Sequence, residues 1–261
     1  MRRPCAASRK TMKEQLKKIL SRVRFAVDKY QMIEDGDRIA VGVSGGKDSL
    51  TLLWALAAMR SFYPHSYEVI AVQIDMGFHL SQKAGNPPED SYPEIAALCE
   101  KLNVPYVLKK TEIAKVIFDI REESNPCALC AKMRRGSLHD AARENGCNKL
   151  ALGHHFDDAA ETMMLNLFFE GRIGCFSPVT YLSRKDITLI RPLVHTKEKS
   201  IRSFAKHAEL PVKKSPCPAD GNTQRAYMKE YLKEFETSHH KGLYERLVGA
   251  LERGEVDGWK V

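Results

Sequence analysis

The sequence predicts an α/β fold: a mostly parallel, doubly wound sheet, preceded by an N-terminal helix and followed by a small helical C-terminal part. Three observations carry that prediction. Short β-type apolar runs alternate with helical patterns between residues 39 and 190, and such alternation implies βαβ units and a parallel sheet. The first run, Ile39-Ala40-Val41-Gly42-Val43, opens directly into the small-residue turn Ser44-Gly45-Gly46 and then a helical pattern; open α/β sheets bind ligands at such carboxyl ends. Beyond about residue 195 the pattern turns helical and more polar. The expected organisation is therefore a basic helix over 1–33, a main domain over 34–195 and a helical region over 196–261.

Each element has its own local reason. Leu16, Ile19, Leu20, Val23, Val27 and Tyr30 recur at three-to-four spacing, which makes residues 11–33 an amphipathic helix ended by Asp35-Gly36-Asp37. Leu50, Leu52, Leu53 and Leu56 continue the first strand into a helix. Val69–Ile74 reads as a strand, Tyr92–Leu102 as a helix and Tyr106–Leu108 as a strand. Arg134–Asn145 reads as helical, Lys149–Gly153 as a strand, Asp157–Phe169 as a helix and Ile187–Ile190 as the last strand. Three helices follow, marked by Ile201, Phe204 and Ala205, by Tyr227, Tyr231, Leu232 and Phe235, and by Leu243, Leu247 and Leu251. The segment Gly85-Asn86-Pro87-Pro88-Glu89-Asp90 reads as a surface loop.

Composition bounds the class. At 261 residues, 43% hydrophobic and 28% charged, the chain has the make-up of a globular protein with one large domain. No apolar run approaches the roughly 20 residues that span a bilayer, and the basic N-terminus has no apolar core of a secretory signal. Seven cysteines, an odd number, fit reduced thiols in the cytoplasm better than a secreted disulfide framework. The net charge of +8 is uneven: residues 1–30 hold ten Lys/Arg against Glu14 and Asp28, and the rest of the chain is balanced. An anionic polymer, a solvated helix face and, less well, a mitochondrial presequence all accommodate that excess.

Ser44-Gly45-Gly46-Lys47-Asp48-Ser49 has the chemistry of a phosphate cradle. Glycines let the backbone approach an anion, and free N–H groups at a helix start favour negative charge. It fits poorly as the common nucleotide loop, G-x-x-x-x-G-K followed by Ser or Thr, because the spacing from Gly42 is one short and Asp48 stands where the hydroxyl would be. A hard cation such as Mg2+ prefers an oxygen ligand of the kind Asp48 offers. Further on, Asp157 and Asp158 lie at a helix start, where they could cap, bind metal or act on substrate. Cys127-Ala128-Leu129-Cys130 is a C-x-x-C, compatible with a redox dithiol, a zinc corner or iron–sulfur ligation; a zinc ribbon would want a second such pair, and none exists. Cys5, Cys99, Cys147 and Cys175 read as ordinary or buried thiols.

The loop resembles the PP-loop of the N-type ATP pyrophosphatases, which cleave ATP to AMP and pyrophosphate. Leu152-Gly153-His154-His155-Phe156-Asp157-Asp158-Ala159-Ala160-Glu161-Thr162 is similar to that family's second motif. With Cys127…Cys130-Ala-Lys-Met-Arg134-Arg135-Gly136 before it and Ile190-Arg191-Pro192-Leu193 after it, the order resembles the tRNA 2-thiocytidine synthetase family over most of residues 12–236. The resemblance implies an adenine nucleotide alpha hydrolase-like fold. It places Ser44, Gly45, Gly46, Lys47, Asp48, Ser49, Asp75, Gly153 and His154 at the nucleotide, and gives catalytic roles to Lys47, Asp48, Asp157 and Asp158. It gives Mg2+ to Asp48, and a [4Fe–4S] cluster to Cys127, Cys130 and Cys217. The chain departs from the pattern at Cys217-Pro218-Ala219-Asp220, where members often carry a second C-x-x-C.

These readings imply an ATP- and cluster-dependent tRNA sulfurtransferase. ATP adenylates a base carbonyl oxygen, most readily C2 of a cytidine in the anticodon loop, and sulfur replaces it. Lys132, Arg134, Arg135, Gln224 and Arg225, with the basic residues of 9–24 and Lys213 and Lys214, are the expected tRNA contacts. A cysteine desulfurase or another sulfide donor, and a second copy of the chain, are the further expected partners. Three alternatives remain: a PP-loop thiolase using a cysteine persulfide without a cluster, a desulfidase of thiolated bases, and a tRNA-binding or metal-sensing protein without catalysis.

Overall fold

A long run of buried residues defines the centre of the molecule. The computed structural model describes residues 6–85, 87, 92–121, 126–214, 216–217 and 223–260. Within these, β1 (Asp37–Val43) lies between β2 (Tyr67–Asp75) and β4 (Lys149–Ala151) in a six-stranded sheet of order β3-β2-β1-β4-β6-β5. Ile39, Ala40, Val41 and Val43 are all buried, because a central parallel strand is covered on both faces and so reads as a continuous apolar run. The register sets Val41 level with Ala71 of β2 and Ala151 of β4. β3 (Tyr106–Lys110) extends the sheet beyond β2 and β6 (Ile187–Ile190) beyond β4, both parallel. β5 (Val179–Leu182) closes the far edge antiparallel to β6. This is the mostly parallel sheet that the alternation predicts, with one antiparallel edge strand added to it.

The sheet's two faces are covered differently. One face packs against α1 (Ala6–Lys29), α2 (Lys47–Met59), α3 (Pro93–Lys101), α6 (Phe156–Phe169), α7 (Glu198–His207) and α9 (Leu243–Arg253). Ile19, Val23 and Val27 of α1 are fully buried there, each worth roughly 1.5–3 kcal/mol of transfer free energy, and Trp54 of α2 meets Phe204 of α7 edge-on at 5.7 Å. The other face packs Ala40, Ile70, Val72 and Leu150 against Ala141 and Ala142 of α5 (Pro126–Glu144). A short helix α4 (Ile113–Lys115) runs into a π turn over Val116–Ile120, and α8 (Gln224–Ser238) lies on α6. Near the C-terminus Trp259 is fully buried, its indole N–H donating to the Phe176 carbonyl at 2.9 Å.

The expected elements shift at their ends. Gln31, at φ 50°, turns the chain out of α1 before Asp35-Gly36-Asp37 is reached. α5 starts at Pro126 rather than Arg134, so both cysteines of the C-x-x-C lie in its first turns. β4 stops at Ala151, which frees Leu152, Gly153 and His154 to leave the sheet as loop. Cys5, Asn86 and residues 88–90 of the expected surface loop, and Pro218, Ala219 and Asp220 lie outside the described residues.

Candidate active site

β1 and β4 are neighbours at the middle of the sheet, and a doubly wound sheet takes its ligands in the crevice outside the carboxyl ends of such strands. The Ser44–Ser49 loop leaves β1 there and Gly153 leaves β4. A Cβ at Gly153 would lie 3.1 Å from the Ser49 nitrogen and 3.2 Å from the Asp48 carbonyl carbon, so glycine lets the two motifs touch through backbone. Gly45 takes φ 79°, open to glycine without strain. Ser49 is committed inside the loop: its hydroxyl accepts from the Ser44 N–H at 3.1 Å and donates to the Gly46 carbonyl at 3.0 Å.

The loop's charged groups face carboxylates. Lys47 Nζ stands 3.0 Å from Asp48 Oδ2 and 3.0 Å from Glu198 Oε1 at the start of α7. Burial pushes the Lys47 ammonium down, and the two carboxylates outweigh it, so its pKa is raised. Burial likewise pushes Glu198 up, but hydrogen bonds from Lys229 and Lys47 hold its pKa down at about 2. The second carboxylate oxygen of Asp48, Oδ1, is buried with no hydrogen-bond partner, 3.7 Å from His155 Nε2. An orphaned buried carboxylate oxygen is costly, and it fits a site for a hard cation.

His155 rather than His154 meets this loop. Its Nδ1 accepts from the Asp158 N–H at 3.3 Å while the Asp158 carboxylate accepts from the His155 N–H at 2.9 Å, a reciprocal cap on α6. Asp157 accepts from the Glu198 N–H at 2.7 Å. Both acids therefore order helix starts as well as lining the crevice. His154 packs its ring on Phe176 at 4.9 Å; burial pushes its pKa down to about 4, and its Nδ1 has no partner. Arg191 lies over the same Phe176 ring and donates to the Ser177 carbonyl. Asp75 ends β2 at the same edge of the sheet, its Oδ1 accepting from the Gly77 N–H at 2.9 Å.

One turn along α6, Glu161 is buried; burial and the charge of Asp158 push its pKa up to about 7. Arg225 of α8 reaches across to it at 3.6 Å, to Asp158 at 3.8 Å and to the Thr162 hydroxyl at 3.1 Å. Much of Arg225 is thus engaged by α6, whereas Gln224 beside it is exposed. Lys132, Arg134 and Arg135 are exposed along α5.

The Cys130 thiol is pushed up first by burial and then by the charges of Cys217 and Cys127, with Arg134 acting against them. None of the three cysteines is in a disulfide. The segment carrying Cys217 crosses the nucleotide loop: the Lys213 N–H donates to the Gly45 carbonyl at 3.0 Å. Among the described residues no three His, Cys, Asp or Glu side chains stand close enough to hold a metal ion between them. Cys127, Cys130 and Cys217 are a thiol-only donor set, the chemistry by which iron–sulfur clusters are held.

Comparison with known proteins fixes the family. A PP-loop domain model matches residues 9–235. A tRNA-cytidine(32) 2-sulfurtransferase of Geobacter sulfurreducens is 41% identical over 223 residues, covering 84% of this chain and 83% of its own. The chain belongs to the tRNA-cytidine(32) 2-sulfurtransferase family of PP-loop proteins. A relative of the same name in Acinetobacter baumannii is 38% identical over 241 residues, covering 91% of this chain and 76% of its own. A solved U34-tRNA thiolase of Methanococcus maripaludis, holding its [4Fe–4S] cluster, superposes with a TM-score of 0.74 at 25% identity, covering 93% of this chain and 79% of that one. The fold and the family of this PP-loop sulfurtransferase family member stand as the sequence predicts. Three groups at the site escaped that reading: His155 as cap and Asp48 neighbour, and Glu198 and Lys229 across from Lys47. Glu198 has only a weak signal, an acid in a helix's first turn, which reads as a dipole partner.

Proposed function

We propose that the protein is an ATP-dependent tRNA sulfurtransferase that adenylates the C2 oxygen of a cytidine in the anticodon loop and replaces it with sulfur. Base carbonyl and ATP give the O-adenylated base and pyrophosphate; sulfide then displaces AMP. The carrying observation is that the segment leading to Cys217 is hydrogen-bonded to Gly45 of the nucleotide loop, so that the activating and sulfur-handling groups share one crevice. Ser44–Ser49, Gly153 and Asp75 form the nucleotide side, and Asp48 with its orphan oxygen is the Mg2+ ligand. Lys47 neutralises charge on the departing pyrophosphate. Cys127, Cys130 and Cys217 would hold the [4Fe–4S] cluster, which would supply the sulfur-handling chemistry.

Lys132, Arg134 and Arg135 on α5, the basic face of α1, and Gln224 on α8 are the tRNA contacts in this reading. Exposed Tyr227 and Tyr231, whose rings lie 6.5 Å apart and nearly parallel on α8, supply a surface on which unpaired bases can stack. A cysteine desulfurase or free sulfide feeds the site, two copies pair, and the enzyme works in the cytoplasm. No helix among the described residues is long and apolar enough to cross a membrane. The test is tRNA-dependent AMP release by the iron-loaded protein under anaerobic conditions, with the iron and acid-labile sulfide content measured. Thiolation by protein lacking iron selects the persulfide alternative, and sulfur removal without ATP selects the desulfidase.

A further inference from the structure

Glu198 is a buried carboxylate that meets three cations near the nucleotide loop. Its side chain is 11% exposed and its Oε1 stands 3.0 Å from Lys47 and 2.9 Å from Lys229 of α8, while Oε2 lies 3.2 Å from Arg202. Its own N–H is taken by Asp157. A single residue thus touches the nucleotide loop, the second motif and the helix that follows the Cys217 segment. Burying a carboxylate against three cations is expensive unless every charge is paired, and one of the two cations on its Oε1 belongs to the loop that carries the phosphate chemistry.

We propose that Glu198 is a positioning residue for Lys47: it shares the ammonium with Asp48 and so aims it at the ATP phosphates. An ammonium has three N–H donors. Asp48 and Glu198 engage two from positions at 3.0 Å, and the third is left for a phosphate oxygen. Without Glu198 the ammonium collapses onto Asp48, which takes it from the triphosphate and also occupies the carboxylate that Mg2+ needs. Lys229, holding the same oxygen of Glu198, ties this arrangement to α8. The inference rests on the ATP-using reading of the site and assigns a role to a residue that reading does not use.

The test is a double-mutant cycle on ATP affinity, read by titration calorimetry with MgATP, for wild type, Glu198→Gln, Lys47→Met and the double variant. Glu198→Gln should weaken ATP binding about tenfold, and the double variant should bind no more weakly than Lys47→Met alone, because the effect travels through Lys47. Glu198→Asp should recover at least part of the loss, and all variants should keep the wild-type far-UV circular dichroism. Wild-type affinity in Glu198→Gln, or losses that multiply in the double variant, would overturn the proposal. Should Glu198→Gln fold poorly, Lys229→Met replaces it: it leaves the Lys47 contact in place and should weaken ATP less than threefold, whereas a loss as large as that of Lys47→Met would contradict the assignment. Wild-type protein that binds ATP but releases no AMP with tRNA breaks the sulfurtransferase reading and leaves this cycle intact.

Discussion

Replacing Glu161 with Gln should make the protein more stable in alkali than wild type, and this is the sharpest consequence of the site's electrostatics. The Glu161 carboxyl is buried, with one oxygen lacking any hydrogen-bond partner, and its pKa is pushed from 4.5 to about 7 by burial and then by Asp158. The folded state therefore binds this proton more tightly than the unfolded chain. The resulting stability is fully present below pH 4.5 and is lost as pH rises through about 7. At 1.36 kcal/mol per pH unit the gap amounts to roughly 3 kcal/mol. Glutamine is neutral at every pH and keeps the volume, so the variant should lose none of this. Arg225, 3.6 Å from the carboxylate, and Lys229 act against the rise and are already contained in the value of about 7. The assay is urea unfolding of the metal-free protein at pH 5 and pH 8.5. Glu161→Gln should be near or below wild type at pH 5 and roughly 1–3 kcal/mol above it at pH 8.5. A difference between the two proteins that stays the same at both pH values would refute the reasoning.

Other outcomes follow from the same geometry. Asp48→Asn should cut AMP formation by about two to three orders of magnitude, and raising Mg2+ should fail to restore it, as a discontinuous pyrophosphate assay would show. Cys130→Ala should abolish thiolation and strip iron from the protein while leaving ATP affinity within about threefold of wild type; normal thiolation by this variant would remove the cluster from the account. Arg134→Ala combined with Arg135→Ala should weaken tRNA binding and lower the slope of affinity against salt by about two, measured by filter binding at several salt concentrations. An unchanged slope would take α5 out of the tRNA surface.

What could be read from the sequence divides along physical lines. The buried parallel strands announced themselves because a strand covered on both faces reads as a continuous apolar run, as Ile39–Val43 and Val69–Val72 do. The edge strand Val179–Leu182 carries no such mark: it is four residues long, half-buried, and exposes Tyr181. The start of α5 escapes a sequence reading because its first turns, Pro126 to Ala131, are uniformly small or apolar and carry no alternation of apolar and polar faces, although Pro126, favoured in a helix's first turn, is a usable sign. At the site, the nucleotide loop and second motif were legible as local strings with fixed backbone demands. Glu198 was not, since its role depends on the approach of Lys47 and Lys229 from elements 151 residues before it and 31 after it in sequence, and pairing of that kind leaves no local pattern.

The central claim is that one crevice joins ATP activation to sulfur delivery on a tRNA cytidine, and nucleoside mass spectrometry of tRNA tests it most directly. Bulk tRNA from cells lacking the protein should contain no 2-thiocytidine. Complementation with wild type should restore it, and complementation with Asp48→Asn or Cys217→Ala should not. Unchanged 2-thiocytidine in the deletion strain, or restoration by either variant, would contradict the account.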